Sequence, residues 1–151
     1  MTPAGARLRS GTFVRCYFPY GRAPDEPAPD IHLVYVLAVN EAASGSHAVV
    51  AYTTSKIVFP NPPVPSGVRI FGRDEAARLN QKPFMFDGRS LGYLPLSQKF
   101  FPDLDDAERL VRGSAPKALR DELLGLVLDA LRRNVVVTVG PSRPGTAGRG
   151  D

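Results

Sequence analysis

Residues 31–54 read IHLVYVLAV-NEAASGS-HAVVAYTT and carry the clearest secondary-structure signal in the chain. The two outer runs, 31–39 and 47–54, are rich in the β-branched and aliphatic side chains that favour strands. The segment 40–46 between them supplies Asn, Ser and Gly, which are typical of turns. The pattern therefore predicts an antiparallel hairpin in the middle of a β-sheet.

Shorter β-rich runs lie on both sides of this hairpin. Upstream, residues 12–18 (TFVRCYF) alternate, and the consistently apolar set Val14, Cys16 and Phe18 is predicted to face the core. Downstream, two short strands are expected around a turn at 87–88. The segments predicted as strands or short extensions downstream are 56–59, 68–71, 84–86 and 90–96, and the run 135–139 either adds a strand or packs against the sheet.

Helical signals are fewer. Asp74 predicts a cap for a short helical turn over 75–79, and a short helix is expected over 103–112. A last helix is predicted to start at Ser114, with Pro116 near its first turn, where the missing N–H is tolerated. Its apolar residues recur at helical spacing and form one stripe for the core: Leu119, Leu123, Leu126, Val127 and Ala130.

The size and composition of the chain indicate one globular domain. It has 151 residues, of which 43% are hydrophobic and 23% charged. Fifteen prolines and 14 glycines favour many short strands and turns over a helical bundle. The predicted organisation is a flexible lead at 1–10, one domain at 11–139 and a disordered tail at 140–151. We therefore predict a mainly β (α+β) fold, a small β-barrel with a C-terminal amphipathic helix.

The composition also narrows the classes of function. Cys16 is the only cysteine, so a disulfide within the chain is impossible, and His32 and His47 are the only histidines. No Cys/His spacing suits zinc, so neither a metal nor a cofactor is predicted. The longest apolar run, 33–39, is too short to span a bilayer, and 1–10 lacks the apolar core of a signal peptide. A cytoplasmic protein with no membrane association is expected. The net charge of +4 is compatible with binding to nucleic acid.

Four short segments stand in a characteristic order: GTFVRCYFP at 11–19, IHLVYVL at 31–37, VVAYTTSK at 49–56 and LPL at 94–96. This order resembles the MazF/PemK family of type II toxin-antitoxin endoribonucleases. Chains of that family open with a glycine and a strand ending in Phe-Pro. They continue with an apolar strand after an Arg-Pro pair and then with an apolar run that leads into Pro, an apolar residue, Thr and Ser. With the final helix included, the resemblance covers residues 11–131.

The resemblance implies an SH3-like barrel, a homodimer, metal-independent cleavage of single-stranded RNA, and neutralisation by an antitoxin protein. In that family the Arg of the Arg-Pro pair and the Thr of the segment Pro-apolar-Thr carry the chemistry. Thr54 matches the family's Thr, while His32 and Leu33 stand where the family has Arg and Pro. The resemblance thus implies catalytic roles for His32 and Thr54.

The chemistry of these residue types suits such a reaction. Metal-free RNA cleavage needs a base for the 2′-OH proton, an acid for the 5′-oxygen and a cation near the phosphorane. Histidine exchanges protons near neutral pH, so His32 is predicted to be the base or the acid, and Thr54 to donate to a phosphate oxygen. The cation and further RNA contacts are predicted at Arg22, Thr53, Lys56 and Arg73.

Structural roles compete with these functional ones. A histidine at a strand start can be a hydrogen-bonded structural residue, and Arg22 and Arg73 can be solvated loop residues. Tyr17, Tyr20 and Tyr52 can stack on bases or pack at the rim of the barrel. Three classes of function follow: an endoribonuclease toxin, a non-catalytic relative that binds a protein or nucleic acid, and, by fold analogy alone, a topoisomerase inhibitor.

Overall fold

A computed structural model describes residues 8–42, 45–58 and 63–144. The strands and helices follow one another along the chain in this order: β1 Thr12–Cys16, β2 His32–Ala42, β3 Gly45–Thr54, β4 Val68–Phe71, α1 Arg73–Arg78, β5 Phe84–Pro95, α2 Ala107–Leu110, β6 Gly113–Ser114, α3 Lys117–Arg132 and β7 Val137–Val139. None of the helices in these ranges has the length and apolar character that crossing a membrane requires.

The strands form one curled sheet in the order β4-β5-β3-β2-β1-β6, and β7 pairs with β5 in parallel. The other pairings along this order are antiparallel, and the sheet bends into a half-barrel, so the prediction of a mainly β domain is confirmed. The predicted hairpin is its centre, since β2 and β3 pair with Val34 opposite Tyr52 and Asn40 opposite His47.

Both faces of strand β1 are buried. Val14, Cys16 and Phe18 lie in one apolar cluster, packed against the segment 100–110, which confirms the predicted core face. Phe13 points to the opposite face and is also fully buried, in a second cluster that includes residues of α1 and α3. The sheet therefore lies between two hydrophobic cores. The alternating sequence of β1 predicts only the core of Val14 and Cys16, and the core of Phe13 exists because helices cover the opposite face of the strand.

Helix α3 is amphipathic, as predicted. Its residues Leu123, Val127 and Ala130 are buried. It begins after Pro116, the N-cap residue, whose missing N–H costs nothing at a helix start. It ends where Asn134 adopts a φ of 57°, and the N–H groups of Asn134 and Val135 donate to carbonyls of the last turn.

Two predictions between 103 and 116 are wrong. Ser114 does not start the last helix; it lies in β6, opposite Thr12 of β1. The helix expected over 103–112 is reduced to the single turn α2, which begins where the side chain of Asp106 accepts two backbone N–H groups. Asp103 instead lies against β1, where it binds Arg15. The first residues of the predicted helix, 103–105, therefore lie outside α2.

Three further local predictions need correction. The two strands expected around a turn at 87–88 are one bent strand, β5, whose register to β3 shifts between Ala51 and Tyr52. Helix α1 begins one residue before Asp74, with Gly72 as its N-cap residue, so Arg73 is helical and not part of a loop. Residues 56–58 are not in a strand, and Phe59 lies outside the described residues.

The two ends of the described chain pack onto the sheet or its loops. Leu8, assigned by the sequence to the flexible lead, is 2% exposed and belongs to the same cluster as Val14. At the other end, the N–H of Gly140 donates to the carbonyl of Pro24. The remaining parts of the predicted lead and tail, 1–7 and 145–151, lie outside the described residues.

An ion pair joins β1 to the segment that covers it. The Arg15 guanidinium donates from Nε and Nη2 to the two carboxylate oxygens of Asp103, both at 2.7 Å. The Asp103 side chain is 7% exposed. The hydrogen bond from Arg15 lowers the pKa of Asp103, aided by charge attraction and opposed by burial.

We expect Asp103→Asn to lower the free energy of unfolding by about 1–2 kcal/mol at neutral pH, a value reduced for solvent screening at the part-exposed Arg15. Because the pKa of Asp103 is lower in the folded state, this stabilisation is present above the ordinary Asp pKa of about 3.9 and is lost as the pH falls below it. Urea unfolding of both proteins between about pH 7 and pH 3 checks this. The exposed Asp105→Asn is the control, and a difference between wild type and Asp103→Asn that does not shrink in acid would contradict the expectation.

Candidate functional site

A polar cleft opens at one end of the central hairpin. Its volume is about 360 Å³. One wall is formed by residues 31–33 at the start of β2 and 53–55 at the end of β3, and the other by 80–84 between α1 and β5. The cleft thus brings together three segments that are far apart in the sequence.

The register of the hairpin places the two predicted catalytic residues side by side. Val34 pairs with Tyr52, and the same register continued by two residues sets His32 opposite Thr54. Residues opposite each other in an antiparallel pair point to the same face of the sheet. Both residues line the polar cleft, and both stand at the end of their strand, where the cleft is open to solvent.

The neighbouring threonines have different surroundings. Thr53 is 1% exposed, and its hydroxyl donates to the carbonyl of Leu33 at 2.5 Å, so it fixes β3 against β2 at the wall of the cleft. Thr54 is half-buried, and its Oγ1 accepts the backbone N–H of Lys56 at 3.1 Å. An accepting hydroxyl keeps its own proton, which Thr54 can donate to a bound group.

His32 also lines a second, aromatic cleft of about 170 Å³. The rings of Tyr20, Tyr52 and Phe18 contribute to this cleft, and Ser90 of β5 also lines it. The centroid of the His32 ring lies 5.0 Å from that of Tyr52. The imidazole therefore stands at the junction of a polar cleft and an aromatic one.

The predicted cations are not equally near these clefts. The guanidinium carbon of Arg22 lies 4.6 Å from the ring centroid of Tyr20, at the edge of the aromatic cleft. Lys56 is exposed, two residues beyond Thr54. Arg73 begins α1, its side chain is 91% exposed, and it is outside the lining of both clefts.

Lys82 lines the polar cleft and is absent from the sequence prediction. It follows Asn80, which adopts a φ of 57°, and Gln81, whose side chain donates to the carbonyl of Arg112. A single lysine in a loop carries no recognisable pattern, so only the folded chain reveals it. No carboxylate occurs among the described residues that line this cleft, so Lys82 makes it favourable for an anion.

Among residues 8–42, 45–58 and 63–144, no three His, Cys, Asp or Glu side chains are grouped so that they could hold a metal ion. Comparison of the chain with protein-family models, curated proteins and solved structures gives no match. The function therefore has to be inferred from the two clefts and the residues that line them.

Proposed function

We propose that this chain is a metal-independent endoribonuclease of the MazF/PemK type, an SH3-like barrel that cleaves single-stranded RNA in the cytoplasm and is neutralised by an antitoxin protein. The observation that carries the proposal is the position of His32 between the polar cleft and the aromatic cleft. A nucleotide presents the same two chemistries next to each other, an anionic phosphate and a flat base.

The polar cleft supplies the groups that a phosphate requires. The ammonium group of Lys82 offsets the phosphate charge, and the hydroxyl of Thr54 donates to a phosphate oxygen. His32 takes the proton of the 2′-OH, and the 2′-oxygen attacks phosphorus. The bond from phosphorus to the 5′-oxygen then breaks, and the leaving oxygen takes a proton from the ammonium group of Lys82 or from water.

The aromatic cleft supplies a surface for a base. Stacking of a base on an aromatic side chain is worth about 1–3 kcal/mol and needs no particular sequence. Tyr20 and Tyr52 present rings there, and the guanidinium of Arg22 lies over the ring of Tyr20. A base held in this cleft would set its phosphate beside His32, since the imidazole belongs to both linings.

The proposal predicts that the protein cuts single-stranded RNA in the presence of EDTA. The expected products carry a 2′,3′-cyclic phosphate and a 5′-OH, because the attacking oxygen belongs to the substrate itself. The measurement is mass analysis of the fragments from several RNAs of different sequence.

Thr54→Val is a test variant for this assay: it keeps the shape of the side chain but removes the hydroxyl that would donate to the phosphate, so it should cut RNA more slowly than the wild type. Binding without cleavage, at protein concentrations that saturate the RNA, would reject the nuclease. It would favour the alternative, a non-catalytic barrel that binds a nucleic acid or a protein.

A further inference from the structure

A third cleft, separate from the polar and the aromatic ones, lies beside helix α3. Its volume is about 250 Å³. Its walls are residues 10–11 before β1, Tyr35 and Leu37 of β2, and one side of the first two turns of α3. None of the described residues that line this α3 cleft lines the polar or the aromatic cleft, so it is a separate site.

The hydroxyl of Tyr35 has no hydrogen-bond partner among the residues that the structure describes. Tyr35 is only 3% exposed, and its ring packs against the rings of Phe13 and Phe86, with centroids 5.1 and 5.9 Å away. Buried tyrosine hydroxyls normally have a partner. This one is not fully enclosed by the protein, and Tyr35 lines the α3 cleft. A partner from outside the chain can therefore reach a buried donor through this cleft.

The charges around Tyr35 show that its hydroxyl points into the cleft. Burial raises the pKa of Tyr35, the charge of Arg120 lowers it, and the charge of Asp121 raises it. Both charges must lie near the hydroxyl to act on it in this way. Arg120 and Asp121 both line the α3 cleft, so the hydroxyl and the guanidinium face the same space.

The side chain of Arg120 is held beside the cleft without an ion-pair or hydrogen-bond partner in the described ranges. Its stem lies against Gly11, since a Cβ atom added to that glycine would be 2.5 Å from Cδ of Arg120. Gly11 is itself fixed: its N–H donates to the carbonyl of Val36, and its carbonyl accepts the N–H of Ala115. Its φ of 86° is one that glycine favours. The glycine thus allows the close approach that places this cation at the cleft.

The α3 cleft keeps a net positive charge although one carboxylate lines it. Asp121 accepts a hydrogen bond from Nζ of Lys117 at 2.9 Å, so these two charges offset each other and the charge of Arg120 remains. The start of α3 adds to the positive potential, because its first turn has no acidic residue and its N-cap residue, Pro116, provides no side-chain cap. An anion is the ligand that such a cleft favours.

We propose that the α3 cleft binds a phosphate group. A guanidinium donates to two oxygens of a phosphate at once, and the hydroxyls of Tyr35 and of the exposed Ser10 can donate to the other oxygens. A carboxylate has only two oxygens and would leave part of this donor set unused. The proposal does not rest on the nuclease activity, because the α3 cleft shares no lining residue with the clefts of His32.

The first test is a titration of the protein with inorganic phosphate at neutral pH, followed by NMR of the backbone amides, with sodium chloride at equal ionic strength as the reference. In the wild type, the amide signals of Gly11 and Lys117 should shift and reach saturation with phosphate only. Arg120→Gln should raise the Kd read from these amides by about tenfold or more, because it removes a charged donor. Tyr35→Phe should raise this Kd by a smaller factor. It should leave the urea unfolding curve unchanged, because the lost hydroxyl has no partner among the described residues.

Arg78→Gln is the matched control for the loss of a positive charge. Arg78 is an exposed arginine of α1 that has no ion pair among the described residues and does not line the α3 cleft. This variant should bind phosphate in the α3 cleft as the wild type does. The amides of Thr54 and Lys82 report on the polar cleft in the same spectra, and Arg120→Gln should leave their response to phosphate unchanged.

A second titration separates the two sources of such a phosphate group, an RNA backbone and a small phosphate ester. The probe is a 2′-O-methyl RNA of about eight nucleotides without terminal phosphates, which cannot be cut because cleavage requires the 2′-OH. If the RNA backbone is the source, Arg120→Gln should weaken the binding of this RNA and lower its salt dependence by about one phosphate contact. If a small ester is the source, the RNA should bind equally to the wild type and to Arg120→Gln.

Two results of the phosphate titration would overturn the proposal. One is a wild type in which the amides of Gly11 and Lys117 respond to phosphate no more than to chloride. The other is a wild-type Kd at these amides in both Arg120→Gln and Tyr35→Phe. A protein that proves inactive on RNA would change neither reading, because neither is taken from cleavage.

Discussion

His32→Ala is expected to slow single-turnover RNA cleavage by about 100- to 10,000-fold, the usual contribution of a positioned acid or base. The variant removes the imidazole at the junction of the polar and aromatic clefts. The free energy of unfolding should hardly change, because His32 is half-buried at the first residue of β2. The measurements are the cleavage rate of one RNA under enzyme excess and a urea unfolding curve for each protein.

The matched control is His47→Ala. His47 is the second histidine of the chain and lies at the far end of the same hairpin, where its ring faces Tyr93 at 6.5 Å. Its removal should leave the cleavage rate near that of the wild type. Equal rates for wild type and His32→Ala across about pH 5 to 8, the range in which imidazoles titrate, would assign His32 a structural role.

His32→Arg separates a proton-transfer role of His32 from a purely electrostatic one. The guanidinium supplies a positive charge but does not take up a proton, so His32→Arg should remain as slow as His32→Ala if the imidazole transfers the proton. Thr54→Val should cost less than His32→Ala, about 1–3 kcal/mol in transition-state stabilisation, because it removes one hydrogen bond to a charged group.

Phe13→Ala is expected to lower the free energy of unfolding by about 3–5 kcal/mol, the usual cost of deleting a buried aromatic ring. Phe13 is fully buried. Its ring centroid lies 5.1 Å from that of Tyr35, 5.6 Å from that of Phe84 and 6.3 Å from that of Phe71. Its removal would leave a cavity where β1, β2, β4 and β5 meet under α3, and rings held by a sheet cannot readily close such a cavity.

Urea unfolding of Phe13→Ala and of Tyr17→Ala measures this effect. Tyr17 follows Phe13 by four residues and belongs to the same alternating set, but it is only half-buried. Its loss should therefore cost clearly less than the loss of Phe13. A loss for Phe13→Ala that is no larger than the loss for Tyr17→Ala would contradict the expectation.

Sequence patterns were sufficient to predict the elements that depend on residues close to one another in the sequence. The hairpin of β2 and β3 was predicted from two strand-forming runs with turn residues between them, and its pairing depends on those residues alone. The buried stripe of α3 was predicted from helical spacing. His32 and Thr54 were selected by resemblance, and the register of that hairpin brings them to one cleft.

The sequence alone thus determined the central hairpin, the amphipathic last helix and the mainly β character, because each depends on side chains a few residues apart. Only the tertiary structure decided that Phe13 is buried, since α3, about a hundred residues later, covers that face of β1. It also brought Lys82 into the cleft of His32 and Thr54. Alternation along a strand shows that two faces exist, but which of them is covered, and which loop reaches a site, depends on packing between distant segments.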